Sequence, residues 1–335
     1  MPAGVAVQAT PDDATVPSDR LASFWGRALG SSLRLTVRIP EPAADAGLAA
    51  AEQAWTEVLA EFDAVDIALS RFRDDSELTH LNRLAGSGRV VRVSRRLRVA
   101  LAAIDRAGRI TGNRFDASVL GVLERIGEHG AALDRRAPTR PAVDPAERRF
   151  RVHVPPVPVD MGGIGKGLAL RWASERALAV LPEGMGLLLE AGGDIVGRGT
   201  PPAEGWRVGI EDPAAASVTD EDPVVVVALD VGAVATSSVR VRNWIGPDGE
   251  PVHHLVDPST GAPARGGLIA VTVAAADPAW AEVWSKALFI LGRTGIGEDA
   301  RARGLAAWWV DDAGRLGMTP EARVRTAWVV EERLG

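Results

Sequence analysis

The chain has 335 residues, 46% hydrophobic and 24% charged, an ordinary globular balance with room for one large domain or two smaller ones. A net charge of −6 lacks the electrostatic footprint of a nucleic-acid binder. The absence of cysteine excludes disulfides, thiolate metal sites, a cysteine nucleophile and a lipid-modified cysteine.

The first 18 residues are rich in Pro, Ala, Asp and Ser and lack a basic stretch followed by an apolar run. They read as a disordered lead-in rather than a secretory signal. No apolar stretch is long enough to span a bilayer, so no stable membrane insertion and a cytoplasmic location are expected. From residue 19 to 335 the pattern is that of one α+β domain. Alternation of Leu33, Leu35, Val37 and Ile39 predicts a strand over 31–39. An Ala-, Glu- and Leu-rich helix follows over 43–69, then a short helix over 78–84 and a short strand over 90–93. Ser94 caps a helix that runs to Thr111 and is stopped by Gly112-Asn113. The basic cluster Arg95-Arg96-x-Arg98 falls on this helix and reads as a solvated face. Residues 130–158 are a Pro-, Arg- and Asp-rich stretch, the weakest point for domain unity, with a short strand near 149–154. A helix is expected over 166–181. Strands follow over 186–190, 206–211, 224–230 and 268–275, then a helix opened by Asp277-Pro278 and closed by Gly292, and strands over 304–310 and 323–331.

The densest signal lies before the 166–181 helix, in Val159-Asp160-Met161-Gly162-Gly163-Ile164-Gly165-Lys166-Gly167. Glycines free the backbone for close approach to a ligand, and the helix start aims N–H groups and a positive dipole end at the loop, as a phosphate seat requires. Neither common phosphate loop fits. A Walker A motif needs Gly where Asp160 stands and Ser or Thr where Gly167 stands; the Rossmann fingerprint needs Gly where Leu168 stands.

Other polar clusters occupy the connections. Ser70-Arg71-Phe72-x-x-Asp75-Ser76-Glu77-Leu78 reads as a helix cap leading into Asn82. Phe115-Asp116-Ala117-Ser118 reads as a turn. Glu190-Ala191-Gly192-Gly193-Asp194-Ile195 is either a tight hairpin or a point of ligand approach. Thr236-Ser237-Ser238 precedes an arginine-bearing segment. His254 and Asp257 are spaced to share a hydrogen bond that orients the ring, as general-base work needs, or to form a structural pair. Glu282 and Lys286 sit one helical turn apart, a surface ion-pair spacing.

In order, these pieces resemble the FAD:protein FMN transferase (ApbE-like) family over almost the whole chain. The 160–167 and 254–261 segments are the most specific. The resemblance implies an α+β fold of mixed, mostly antiparallel sheets with helices packed around a flavin cleft. It also implies Mg²⁺-assisted transfer of FMN from FAD to a threonine or serine of a target protein, with release of AMP. His254 would be the base and Asp257 its orienting partner. Leu29, Phe72, Asp116, Ala117, Ser118, Gly162, Gly163, Lys166, Leu168 and Thr260 would line the FAD site. The metal position would fall on Gly165, Glu282, Ser285 and Lys286. Here the chain departs from the family, whose helix carries Asp and Thr where this one carries Glu282 and Lys286. The departure leaves two alternatives to a plain Mg²⁺ site: the Lys286 ammonium supplies the positive charge itself, or Glu282 and Lys286 pair and transfer is lost, leaving a degenerate FAD-binding relative.

Overall fold

Alternating side chains start the sheet. In the computed structural model, which describes residues 5–8, 19–41, 44–130, 141–213, 223–240 and 242–335, strand β1 (Val5–Gln8) runs antiparallel beside β2 (Arg20–Ala28), which turns into β3 (Ser31–Ile39). β3 buries Leu33, Leu35, Val37 and Ile39 on one face, as its alternation predicts. Within the lead-in expected to be disordered, residues 5–8 thus form a strand; the rest of 1–18 lies outside the described residues. The long helix α1 (Ala44–Leu69) follows, then α2 (Glu77–Arg83), β4 (Val90–Val93) and α3 (Arg95–Thr111). Ser94 caps α3 by accepting from the Leu97 N–H at 3.3 Å, and Gly112 ends it at φ 62°. Of the basic cluster on α3, Arg95 and Arg98 face solvent, while Arg96 reaches back to the buried Glu61 on α1 at 2.7 Å. The short α4 (Leu120–Arg125) leads toward β5 (Phe150–His153), which pairs with β4. Residues 131–140 of the Pro-rich stretch lie outside the described residues.

Helix α5 (Gly165–Val180) is wrapped on several sides, with Leu168, Ala169, Leu170, Ala173 and Ala177 fully buried against α1, the sheet and a later helix. Next come β6 (Gly186–Ala191), β7 (Asp194–Gly199), β8 (Trp206–Ile210), β9 (Val225–Leu229) and β10 (Gly232–Ser238). Two small ribbons follow, β11 (Asn243–Ile245) with β12 (Pro251–His253) and β13 (Val256–Asp257) with β14 (Ala262–Pro263). The chain then adds β15 (Leu268–Ala275), α6 (Pro278–Leu291), α7 (Arg293–Ala302), β16 (Ala306–Asp311), β17 (Leu316–Met318), α8 (Pro320–Arg325) and β18 (Thr326–Val329). The strand expected over 323–331 is therefore corrected. Thr319 accepts from the Ala322 N–H at 3.3 Å and Pro320 takes the first helical turn, so residues 320–325 coil before the strand begins.

Among the described residues the main sheet has nine strands in the order β1-β2-β3-β6-β7-β10-β15-β16-β17, and every pairing is antiparallel. Its centre is buried on both faces. Leu187, Leu189, Ala233 and Ala235 point to the layer of α1, α5 and α6. Leu188, Ile195, Val234 and Ala274 point to a second, three-stranded sheet, β18-β9-β8. The fold is α+β, helices and antiparallel sheets in separate layers, as the resemblance implied. No helix among the described residues is long and apolar enough to cross a membrane.

Candidate active site

One end of the sheet opens into a cavity of about 1160 Å³. Its walls are the β2–β3 turn at Leu29-Gly30, the end of α1 and the following Ser70–Arg73 segment, the loop entering α5, the β6–β7 hairpin, β8, and the end of β10. A small pit continues past Gly162 toward Phe115, Asp116 and Ala117. His254 and Lys286 line both spaces.

Local chemistry fixes each wall. Ser76 caps α2, its Oγ accepting from the Thr79 N–H at 3.0 Å. That helix delivers the buried Asn82, whose amide donates to the Val159 carbonyl at 2.8 Å and accepts from the Val159 N–H at 2.9 Å. A two-point clamp of this kind satisfies both backbone groups of the residue before the glycine loop. Asp160 then donates its N–H to the Ala117 carbonyl at 2.7 Å, and its carboxylate accepts from Arg71 Nε at 2.9 Å and from the Gly162 N–H at 3.0 Å. Gly163 leaves room for Lys286: a Cβ there would sit 2.7 Å from the ammonium nitrogen. Gly167 lets α5 approach α6, since a Cβ would lie 2.5 Å from the Ala279 Cα.

The helix start offers fewer free amides to a phosphate than the glycines suggest. The Gly162, Gly165 and Gly167 amides already donate to Asp160 Oδ2, the Met161 carbonyl and Glu282 Oε2. Positive charge at the cavity comes instead from side chains. Lys166 pairs with the buried Asp194, which also accepts from the Thr236 N–H at 3.1 Å. Burial works against the Lys166 ammonium, but Asp194 and Glu282 outweigh it and hold its pKa above the usual lysine value. Arg71 and Arg242 share Glu128, Arg71 at 3.2 Å. Lys286 has no hydrogen-bond or ion-pair partner among the described residues; burial pushes its pKa down, against the pull of Glu282 and Asp160.

His254 is arranged as a neutral base. Its Nδ1 lies 3.3 Å from the Arg242 carbonyl, which only accepts, so Nδ1 carries the proton and Nε2 is left with its lone pair. Burial, then the Lys286 and Arg242 cations, lower its pKa to about 2. Asp257 does not orient it. The Asp257 Oδ1 accepts from the Ser259 N–H at 2.8 Å and the Ser259 hydroxyl at 2.7 Å, closing its own turn. The proximity of the two residues in sequence reflects that turn.

The structure brings Leu29, Phe72, Gly162, Gly165, Lys166, His254, Glu282 and Lys286 to the cavity, with Gly163, Asp116 and Ala117 at the pit. Leu168 is fully buried in the core, and Ser118 and Thr260 belong to turns outside both spaces, where Ser118 donates to Asp116. Arg71, Glu128, Asp194 and Arg242 escaped sequence reasoning as site residues. Their charges gain meaning only when separated segments meet, although the motif around Ser70 and the paired glycines before Asp194 mark two of them.

The residues proposed for Mg²⁺ do not suit it. Mg²⁺ keeps several waters and is anchored by one or two free carboxylates beside substrate phosphates. Glu282, the one carboxylate of the set, is engaged by the Gly167 N–H at 2.8 Å. Burial and the neighbouring Asp194 also raise its pKa. The Ser285 hydroxyl bonds Ser237 Oγ at 2.9 Å and the Glu282 carbonyl at 3.0 Å. Lys286 adds positive charge, not a ligand. Among the described residues no group of three acidic or histidine side chains is placed to hold a metal. Nor are Glu282 and Lys286 a surface ion pair, since Glu282 is only 5% exposed and caps α5.

The sequence pattern of the ApbE family matches residues 29–309. The chain belongs to the ApbE family. A Klebsiella pneumoniae FAD:protein FMN transferase is 28% identical to it over 93% of this chain and 92% of its own length. The crystal structure of the ApbE protein from Thermotoga maritima superposes with a TM-score of 0.76 at 26% identity, covering 92% of this chain and all of that one. The apo flavinyl transferase ApbE from Pseudomonas stutzeri has a TM-score of 0.72 at 24% identity and shares the fold over 93% of this chain. The ApbE match spans the cavity walls from Leu29 to Lys286.

Proposed function

We propose that this ApbE-family chain is an FAD:protein FMN transferase that joins FMN to a threonine or serine hydroxyl of a target protein and releases AMP. The observation that carries the reading is the neutral His254, with Nε2 free, on the wall of a cavity that also holds the Asp160–Lys166 loop. FAD is the substrate whose pyrophosphate lies against that loop. The acceptor hydroxyl oxygen attacks the phosphorus on the FMN side and forms the new phosphoester. The bond from that phosphorus to the bridging oxygen breaks, and its electron pair leaves with AMP. His254 Nε2 takes the hydroxyl proton. Lys166, fixed by Asp194, orients phosphate oxygens, and the exposed ring of Phe72 stands at the mouth over the Arg71 guanidinium, 4.2 Å from the ring centre.

The test is to incubate the protein with FAD and a target domain carrying a family-type acceptor threonine, and to record the intact mass of the target. An FMN-sized increase is expected. FAD bound without any increase would sink the transferase reading in favour of an FAD-binding relative that has lost transfer, the alternative favoured by the unsuitable metal position.

A further inference from the structure

We infer that Lys286 is the resident counter-ion of the site, holding the pyrophosphate anion of FAD in place of a divalent metal. The inference rests on the reading of FAD as substrate and deepens it. Its observations are geometric. Lys286 projects from α6 into the junction of the cavity and the pit, with its ammonium against the glycine loop where a Gly163 side chain would stand. The nearby acids are committed elsewhere: Asp160 to Arg71, Asp194 to Lys166, Glu128 to Arg71 and Arg242, Glu282 to the Gly167 N–H. Lys286 is left without a hydrogen-bond or ion-pair partner among the described residues, feeling Glu282 and Asp160 only at a distance, and it lines both spaces between protein walls, where its field on an anion is screened less than in bulk water.

The same positions lack what a metal needs. Mg²⁺ keeps several waters but needs one or two free carboxylates as anchors; beside the Gly165 backbone these positions offer one engaged carboxylate and a pinned hydroxyl, and a dication beside the ammonium would be repelled. An ammonium meets the chemical requirement by another route. The FAD pyrophosphate carries two negative charges, and more charge develops on the bridging oxygen as it leaves with AMP. Three N–H donors on one flexible stem match oxygens of this kind. A cation already in place costs no reorganisation as that charge grows. Several amides at the start of α5, those of Gly162, Gly165 and Gly167, are occupied, so much of the burden falls on the lysines.

The experiment measures FAD affinity by flavin fluorescence, and FMN transfer by target mass, for the wild type in excess EDTA and in Mg²⁺. Both are expected to agree within about twofold between the two conditions, and Lys286→Met is expected to weaken FAD binding in EDTA by about tenfold, with Lys286→Arg recovering most of the loss. FAD binding or transfer by the wild type that disappears in EDTA and returns with Mg²⁺ overturns the inference. So does a folded Lys286→Met protein that binds FAD as tightly as the wild type. The EDTA comparison needs no variant and stands if Lys286→Met fails to fold. FAD held in both conditions with transfer in neither removes the transferase reading but keeps the counter-ion; transfer seen only with Mg²⁺ does the reverse.

Discussion

At the scale of single residues, His254 combines a fixed tautomer with a depressed pKa. Removing it with His254→Ala is expected to lower the transfer rate by about 10²–10⁴-fold while FAD affinity holds. A parallel collapse of affinity in a fluorescence titration would make it a binding residue instead. The ring also links pH to stability. Unfolded, it takes a proton near 6.5; folded, only near 2. The unfolded state therefore binds more protons between those values, and this group withdraws stability as pH falls through that window. Urea midpoints measured at neutral pH and in mild acid should diverge less in His254→Asn than in the wild type. What was readable in the sequence at this scale follows a physical rule. The glycine loop announced itself by composition, because a run of residues without side chains has few uses. Arg71, Glu128 and Arg242 did not, because a surface charge and a buried, triangulated one look alike in sequence. His254 and Asp257 mislead for the complementary reason: closeness along the chain suggests a contact, while the Arg242 carbonyl holds the ring from twelve residues away.

Among the elements, two contacts place the loop. Asn82 on α2 clamps Val159, and Asn82→Ala orphans a buried N–H and a buried carbonyl at about 1–3 kcal/mol each. Urea unfolding should show the loss, and FAD affinity should fall with it because the glycine loop is untethered. Gly167→Ala drives a methyl into the Ala279 backbone, where neither helix has a flexible end to yield. A penalty of about 1–3 kcal/mol is expected from overpacking, read as a lower melting temperature. Elements with clean periodicity or caps were legible: β3, α3 and α6 fall within a residue of their predicted ends. β10 was hidden by its Gly, Ala and Ser residues, which carry little strand propensity and dilute Val234 and Thr236, so the run pairs because β7 and β15 flank it. The helix α7 was masked by Gly295 and Gly297, and α8 was overlooked although Thr319-Pro320 is a start signal.

For the molecule as a whole, the cavity draws on segments from Leu29 to Lys286, so no fragment of the sheet carries it. Binding FAD should therefore stabilise the entire fold. At a hundredfold excess over Kd the gain is about 2.7 kcal/mol, and hydrogen exchange should slow in β3 and β15 as well as at the loop. Protection confined to the loop would show that the site folds and opens independently. The two sheets that face each other across the opening share no strand. Arg207, Val208 and Ile210 on one side belong to the β8 sheet, and Glu190, Asp194 and Thr236 on the other to the main sheet; Val208, Val227, Val234 and Ala274 meet in the apolar seam between the two sheets. The width of the mouth is thus set by side-chain volume rather than by hydrogen-bond register. A methylene added or removed in that seam changes the clearance offered to an incoming polypeptide while His254 and the lysines stay where they are. Acceptor choice and phosphate chemistry are in this way separately adjustable, one by a hinge of packing and the other by charge.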